Sequence, residues 1–400
     1  MPSVCCYFQV HQPCRHRHFT FFDIDRDHRY EDDEKNTVIL KKVVEKCYLP
    51  ANRVMLELVR KYKGDFKVAF SITGIVLEQM ETHCPEVIDD FKRLADTGCV
   101  EFLSETYYHS LAFLFSRREF KDQVELHKRK IRRLFGQTPK TFRNTELIYN
   151  DDLAREVEKM NYKVILAEGA DHVLGWRSPN FIYRPAGCLK LKLLLKNYRL
   201  SDDVAFRFSD RKWKEFPLVA GKYAHWIHQI NNSGDVVNLF MDYETFGEHQ
   251  WEEMGIFDFL RSFPREVLKH PDFRFQTPGE AAEEFEPVAQ LSVPHYTSWA
   301  DMERDLTAWL GNHMQNDAVT VLYGLEKKIR KKKDPEALET WRRLQTSDHL
   351  YYMCTKWFAD GTVHKYFNPY HSPYDAYINF MNILTDFSNT LEKAGRKHDK

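Results

Sequence analysis

The sequence predicts an α/β protein: a TIM-type barrel of parallel strands followed by a smaller, mainly helical domain. Three observations carry this. Short apolar runs recur seven or eight times along the first part of the chain. Helical patterns lie between several of them, the order that makes parallel strands joined by crossovers. After about residue 285 the pattern becomes mostly helical.

In chain order, the strand candidates are VCCYFQV (4–10), KVAFSI (67–72), VEFLS (100–104), TFRNTE (141–146), KVILAE (163–168), KNYRLSD (196–202), VVNLFMDYE (236–244) and, more weakly, FRFQT (273–277). Residues 36–62 carry apolar groups at three- and four-residue spacing, which predicts helix. PEVIDDFKRLADTG (85–98) has proline near its start and glycine at its end, the expected helix punctuation. DDLAREVEKMN (151–161) places acids in its first turn, where they suit the helix dipole. FEPVAQLSVPHYTSW (285–299) reads as a proline-bearing linker. Helices are expected over 301–315, 318–332, 335–345 and 373–394. The expected domains are a catalytic barrel over 1–285 and a helical domain over 286–400 that completes the cleft.

Composition narrows the partners. The chain has 400 residues, 58 basic and 59 acidic, for a net charge of −1. That balance gives no broad footprint for nucleic acid. The one basic run, KKIRKKKD (327–334), reads as a solvated helix end and loop. No run is long and apolar enough to span a membrane. The start lacks the charged region and cleavage site of a secretory signal. Eight scattered cysteines without CxxC spacing read as reduced buried thiols, so a cytoplasmic location is expected. Aromatic residues reach 14%, which fits a large aromatic core or a cleft lined with rings.

The polar residues gather where strands are predicted to end, which in a parallel barrel is the working face. The first strand exits into His11-Gln12-Pro13, the third into Glu105-Thr106-Tyr107-Tyr108-His109, the fourth into Arg143-Asn144-Thr145-Glu146, and the seventh into Asp242-Tyr243-Glu244. A lone histidine at a strand end is more often a satisfied core group than a ligand. Four such exits on one rim point to an active site. Two acids from different strands, with histidines and rings, fit glycoside hydrolysis, in which one carboxylate attacks the sugar carbon and the other carboxyl protonates the leaving oxygen. Within the seventh exit, Asp242 and Glu244 share a face, and spacing alone does not choose between them. The rival is a metal-dependent deacetylase using His11, His109 and Asp242, with HWIHQ (225–229) and RHRH (15–18) as further histidines. No HExxH or H-x-x-x-H helix accompanies them.

Four ordered stretches, FQVHQP, VEFLSETYYHSLA, FRNTELIY and MDYETFGEH, resemble the motifs of glycoside hydrolase family 57, and within it the α-amylase-type members. SWADMERDLTAWLGN and QTSDHLYYM look like its C-terminal tryptophan and Ser-Asp motifs, so the resemblance covers nearly the whole chain. It implies an incomplete TIM-type (β/α)7 barrel with a helical C-terminal domain, and a retaining mechanism without metal or other cofactor. The implied activity is cleavage of α-1,4-glucosidic bonds in starch, glycogen or maltodextrin. A 4-α-glucanotransferase or branching enzyme would use the same carboxylates, and a non-catalytic glucan-binding protein is a further alternative. By the resemblance, Glu146 is the nucleophile and Asp242 the general acid/base. Glu244 becomes a substrate-hydroxyl contact or a support for Asp242. His11, Glu101, His109, Trp299 and Asp348 are expected near the bound sugars. The glutamate motif here is RNTELIY, not the WLPEC-like form of many members.

Overall fold

A computed structural model describes residues 1–356, His364 and 368–396. Ten strands are present among them: β1 (Ser3–Val10), β2 (Val68–Ile72), β3 (Val100–Phe102), β4 (Thr141–Arg143), β5 (Val164–Glu168), β6 (Tyr183–Pro185), β7 (Lys192–Lys196), β8 (Val236–Asp242), β9 (Arg274–Phe275) and β10 (Ala289–Leu291). β1 is buried at every position, and β2 and β5 likewise, which is why they read as unbroken apolar runs.

β1 pairs in parallel with β2, with Cys6 opposite Val68, and with β8, with Ser3 opposite Val236. β2 pairs with β3, β4 with β5, and β5 with β7, all in parallel. Ser104, just past β3, bridges Phe142 of β4 in parallel, and Lys196 of β7 faces Asn238 of β8. Following neighbours from β1 through β2, β3, β4, β5, β7 and β8 therefore returns to β1. β9 extends the start of β1, and β6 and β10 form a side flap on β7.

Side chains alternate across each strand, so every second residue points into this ring. Cys5, Tyr7, Ala69, Leu103, Val164, Leu166, Leu194 and Phe240 form one buried apolar cluster inside it. Ala281 and Ala282 of the helix Pro278–Glu284 join that cluster and close the end where the strands begin. The other face of the strands (Cys6, Phe8, Val68, Phe70, Leu239, Met241) packs with the surrounding helices into the largest core cluster.

The helices follow their sequence signals. Asp33–Val43 and Leu49–Tyr62 run on through a wider turn over Val44–Tyr48. Pro85–Ala95 starts on its proline. Asp151–Lys159 is capped by Asn150, whose side chain accepts from the Leu153 N–H, with Asp151 and Asp152 in the first turn. The later helices include His313–Gly324, Glu326–Lys332, Pro335–Arg343 and Pro373–Arg396. Their apolar cluster takes in Phe19, Tyr30, Leu111 and Ile148 from the first part of the chain. Buried Asp386 accepts hydrogen bonds from the Tyr30 hydroxyl at 2.6 Å and the Asp25 N–H at 2.6 Å, tying the last helix to the segment after β1.

Four expectations change. The helix expected over 301–315 is two, Thr307–Leu310 and His313–Gly324, the second capped by the Asn312 side chain. The strand placed at 196–202 lies at Lys192–Lys196. Asn197 then caps the helix Tyr198–Ala205 through its side chain, which ends the strand at Lys196. The strand expected over 141–146 stops at Arg143, and Glu146 sits in a turn. The expected linker at 285–299 contains β10.

Candidate active site

The inward-facing positions change character at the end where the strands finish. Continuing the period of two from the apolar interior gives Gln9, Ser71, Glu105, Arg143, Glu168, Lys196 and Asp242. Burying such groups is costly unless they are paired. Glu105 accepts from the Ser71 hydroxyl at 2.7 Å and pairs with Arg143 at 3.3 Å. Lys196 pairs with Asp202 at 3.2 Å and Glu168 at 3.5 Å. This ion-pair layer floors a cavity of about 250 Å³ lined by His11, His109, Glu146, Asp242, Glu244, Trp299 and Asp348 among others.

Glu146 reaches the cavity from a strained turn. Its φ is 57° and that of Leu147 is 51°, two successive left-handed residues without a glycine. That conformation is costly and persists where the surroundings enforce it. The clamp is the segment before Trp299: Tyr149 and Thr297 exchange backbone hydrogen bonds, and the Trp299 N–H donates to the Glu146 carbonyl at 3.3 Å. The carboxylate is held as firmly. The Trp299 indole N–H donates to Oε2 at 2.7 Å, while His109 Nε2 at 2.9 Å and the Ser347 hydroxyl at 3.2 Å reach Oε1.

His109 is itself bracketed, its Nδ1 lying 3.5 Å from Glu105 Oε2. Burial alone would lower its pKa, but the hydrogen bonds to Glu105 and Glu146 raise it to about 9. The imidazolium in turn outweighs the burial of Glu146 and holds that carboxyl below its ordinary value. Glu105, despite burial, is held down to about 2 by His109 and Arg143. Asp242 goes the other way. Burial, then the charge of Glu146, push it up to about 6, with Arg143 opposing. Two carboxyls in one cavity thus have their acidities pushed apart, an arrangement suited to one nucleophile and one acid.

The remaining groups frame this pair. His11 stacks on His109 with ring centres 4.0 Å apart, and its nitrogens meet Thr73 Oγ1 at 2.9 Å and Asp348 Oδ2 at 3.0 Å. Burial and the nearby His109 charge lower the His11 pKa, while His11 outweighs burial at Asp348 and holds that carboxyl well below the usual range. Glu244 accepts from the Tyr48 hydroxyl and, at 3.5 Å, from the Gln12 amide. Burial and then the charge of Asp242 raise its pKa well above the usual carboxyl value.

A sequence-family model described as Glycosyl hydrolase family 57 matches residues 5–294. The chain belongs to glycosyl hydrolase family 57. It is 43% identical, over 98% of its length and 85% of the relative's, to a Methanocaldococcus jannaschii protein provisionally named an α-amylase. The structure resembles the branching enzyme of that family from Pyrococcus horikoshii, with a TM-score of 0.73 at 14% identity, covering 99% of this chain and 92% of that one. It also resembles the 4-alpha-glucanotransferase of Thermococcus litoralis, with a TM-score of 0.68 at 15% identity. That match covers 87% of this chain, which spans 56% of the longer enzyme.

For this family 57 glycoside hydrolase, the structure gathers seven of the eight expected site residues around one cavity: Glu146, Asp242, His11, His109, Glu244, Trp299 and Asp348. Glu101 is elsewhere. It faces the ring interior near the start of β3, accepting from the Thr141 hydroxyl at 2.5 Å and the Gly279 N–H at 2.8 Å. Glu105 lies four residues further on, at most about 13 Å of extended chain. The place beside His109 and Glu146 goes to Glu105, which the motif match passes over. Arg143, Lys196 and Ser347 are the other groups not singled out. The first two could have been found by extending the inward period from Phe142's neighbours and from Leu194. Ser347 carries no such signal, because only the docking of the C-terminal helices brings it to Glu146.

A metal is poorly served here. Among the described residues one cluster, His11, His109 and Asp348, brings ligand atoms within 4.8 Å of one another. The two imidazoles are stacked 26° from parallel, so their lone pairs do not converge on an ion held at about 2 Å from each nitrogen. His109 is also committed to Glu105 and Glu146, and Asp242, the acid of the deacetylase reading, is outside the cluster.

Proposed function

We propose that this family 57 enzyme hydrolyses α-1,4-glucosidic bonds of starch, glycogen or maltodextrin with retention of configuration. Glu146 attacks the anomeric carbon, and the Asp242 carboxyl gives its proton to the leaving oxygen. The Asp242 carboxylate then takes a proton from water, whose oxygen attacks the anomeric carbon and releases Glu146. Each turnover returns both groups to their starting state. The observation that carries this reading is the pair's placement in one cavity with their acidities shifted in opposite directions: Glu146 lowered by its contacts with His109 despite burial, and Asp242 raised to about 6 by burial and by Glu146. The provisional α-amylase name of the relative at 43% identity supports the substrate class.

The same reading includes the architecture. The closed path of seven parallel strands supports an incomplete TIM-type (β/α)7 barrel over residues 1–285, with 286–400 as a helical domain that completes the cleft. Ser347 and Asp348 would be that domain's contribution to catalysis and sugar contact. A cytoplasmic location agrees with eight cysteines that are all buried and unpaired. No helix among the described residues is long and apolar enough to cross a membrane.

The test is purified enzyme with amylose and maltoheptaose, products resolved by chain length, beside Glu146→Ala. New reducing ends and shorter chains support hydrolysis. Rearranged or longer chains at constant reducing ends replace hydrolysis by transfer through the same carboxylates. No change in either sample refutes the α-glucan reading. Activity in a chelator should equal activity without it. For the free enzyme, kcat/KM should rise as Glu146 ionises, below the ordinary carboxyl value, and fall as Asp242 loses its proton near pH 6.

A further inference from the structure

Two rings near the cleft are not used by the core: Phe206 lines the cavity, and Trp251 lies two residues past His249, which also lines it. Phe206 is 64% exposed and Trp251 is 59% exposed. Large aromatic surface left in water is unfavourable and, where clustered, marks a contact site. Both rings lie on segments that leave the ring of strands at the end carrying Asp242. Phe206 follows the helix after β7, and Trp251 follows the turn after β8.

These segments are tied to each other and to the cavity. Gln250, buried between the rings in sequence, donates through its amide to the Ala205 carbonyl at 2.6 Å and accepts from the Ser209 N–H at 3.1 Å. Its own backbone is fastened to Thr245 and Gly247 at 3.1 and 2.9 Å. One buried amide therefore locks the residue before Phe206 to the residue before Trp251. Ala205, Phe206, Thr245 and His249 border the cavity, so the locked pair continues its wall outward. The amide serves the fold by tying the two loops together, but the rings do not: neither belongs to a buried cluster or its packed fringe.

We propose that Phe206 and Trp251 form a distal platform for α-glucan, stacking on pyranose units of the chain away from the scissile bond. Pyranose rings in α-glucan present flat C–H faces that bury apolar area against an aromatic ring while their hydroxyls stay in water. Two rings on separate but fastened loops select an extended or helical chain over a single sugar. This rests on the α-glucan reading above.

The test separates the two. Binding is measured by calorimetry on Glu146→Gln enzyme, which cannot turn over, with maltotriose and maltoheptaose. Adding Phe206→Ala and Trp251→Ala together is expected to weaken maltoheptaose about tenfold and maltotriose much less, a loss on the scale of one good aromatic contact. Equal losses for both sugars, or no loss, with the melting temperature retained, overturn the platform while leaving the α-glucan reading intact. If neither sugar binds the parent Glu146→Gln enzyme, the α-glucan reading fails and the platform fails with it.

Discussion

Trp299→Phe isolates one hydrogen bond at Glu146, the proposed nucleophile. The indole N–H donates to Glu146 Oε2 at 2.7 Å, whereas His109 and Ser347 both address Oε1. Phenylalanine keeps a ring against Phe240, whose centre lies 5.1 Å from that of Trp299, and removes the donor. A hydrogen bond to a charged group contributes about 1.5–3 kcal/mol, against about 0.5–1.5 kcal/mol for a neutral one. The difference, about 1–1.5 kcal/mol, favours the carboxylate over the acid and corresponds to about one pKa unit. Losing it should raise the Glu146 pKa by about that much. The carboxylate must be ionised to attack, so the acid limb of kcat/KM should move about one unit to higher pH, with the alkaline limb set by Asp242 nearly fixed. The assay is the pH profile of kcat/KM on maltoheptaose, with thermal melting as the check on the fold. An acid limb that stays in place, in a variant that melts normally, refutes the claim that the indole holds Glu146 ionised.

Other outcomes follow from the buried charges and the tight loops. Glu105→Gln leaves Arg143 fully buried without its carboxylate and should cost about 3–5 kcal/mol in urea unfolding; Glu105→Gln with Arg143→Met should recover part of that, and no recovery counts against the pairing. His349 is buried against His16, ring centres 3.8 Å apart, and burial holds its pKa near 4 in the fold. Because the unfolded chain binds that proton already near pH 6.5, stability should be complete above that value and lost as pH falls through about 4, by up to about 3 kcal/mol. His349→Phe should flatten this acid loss of melting temperature. Gly247 has φ +114°, and a Cβ there would stand 1.9 Å from the Lys46 carbonyl oxygen. Gly247→Ala should destabilise by at least about 1–3 kcal/mol and loosen the loop that follows Glu244; an unchanged melting curve would contradict this fit.

The sequence by itself determined the alternation of buried strands and helices, because fully buried parallel strands are written as apolar runs and capped helices carry their own punctuation. It also indicated which strand exits would line one cavity. Asp242 and the neighbourhood of Glu146 and His109 follow directly on apolar runs, and the cavity has them all. It misled where local signals compete. The run at 196–202 contains Asn197, whose capping side chain converts a plausible strand into a helix start. Within VEFLSETYYHS the motif match favours Glu101 over Glu105, although both face inward. Only their height in the ring separates them, one beside the helix at Pro278–Glu284 and the other beneath His109.

Tertiary structure alone decided the surroundings and acidity of these carboxyls. Nothing in FRNTELIY says that Glu146 will adopt a left-handed turn, since that strain is enforced by Thr297 and Trp299, roughly 150 residues away in sequence. Nor does MDYETFGEH show that the Asp242 carboxyl will be raised to about 6. That depends on burial and on the carboxylate of Glu146, and the charge of Glu146 depends on His109, Trp299 and Ser347 arriving from three other segments. A strand pattern is fixed by nearest neighbours along the chain, but an acidity is fixed by charges and solvent within a few ångströms in space, and only the closed fold brings those together.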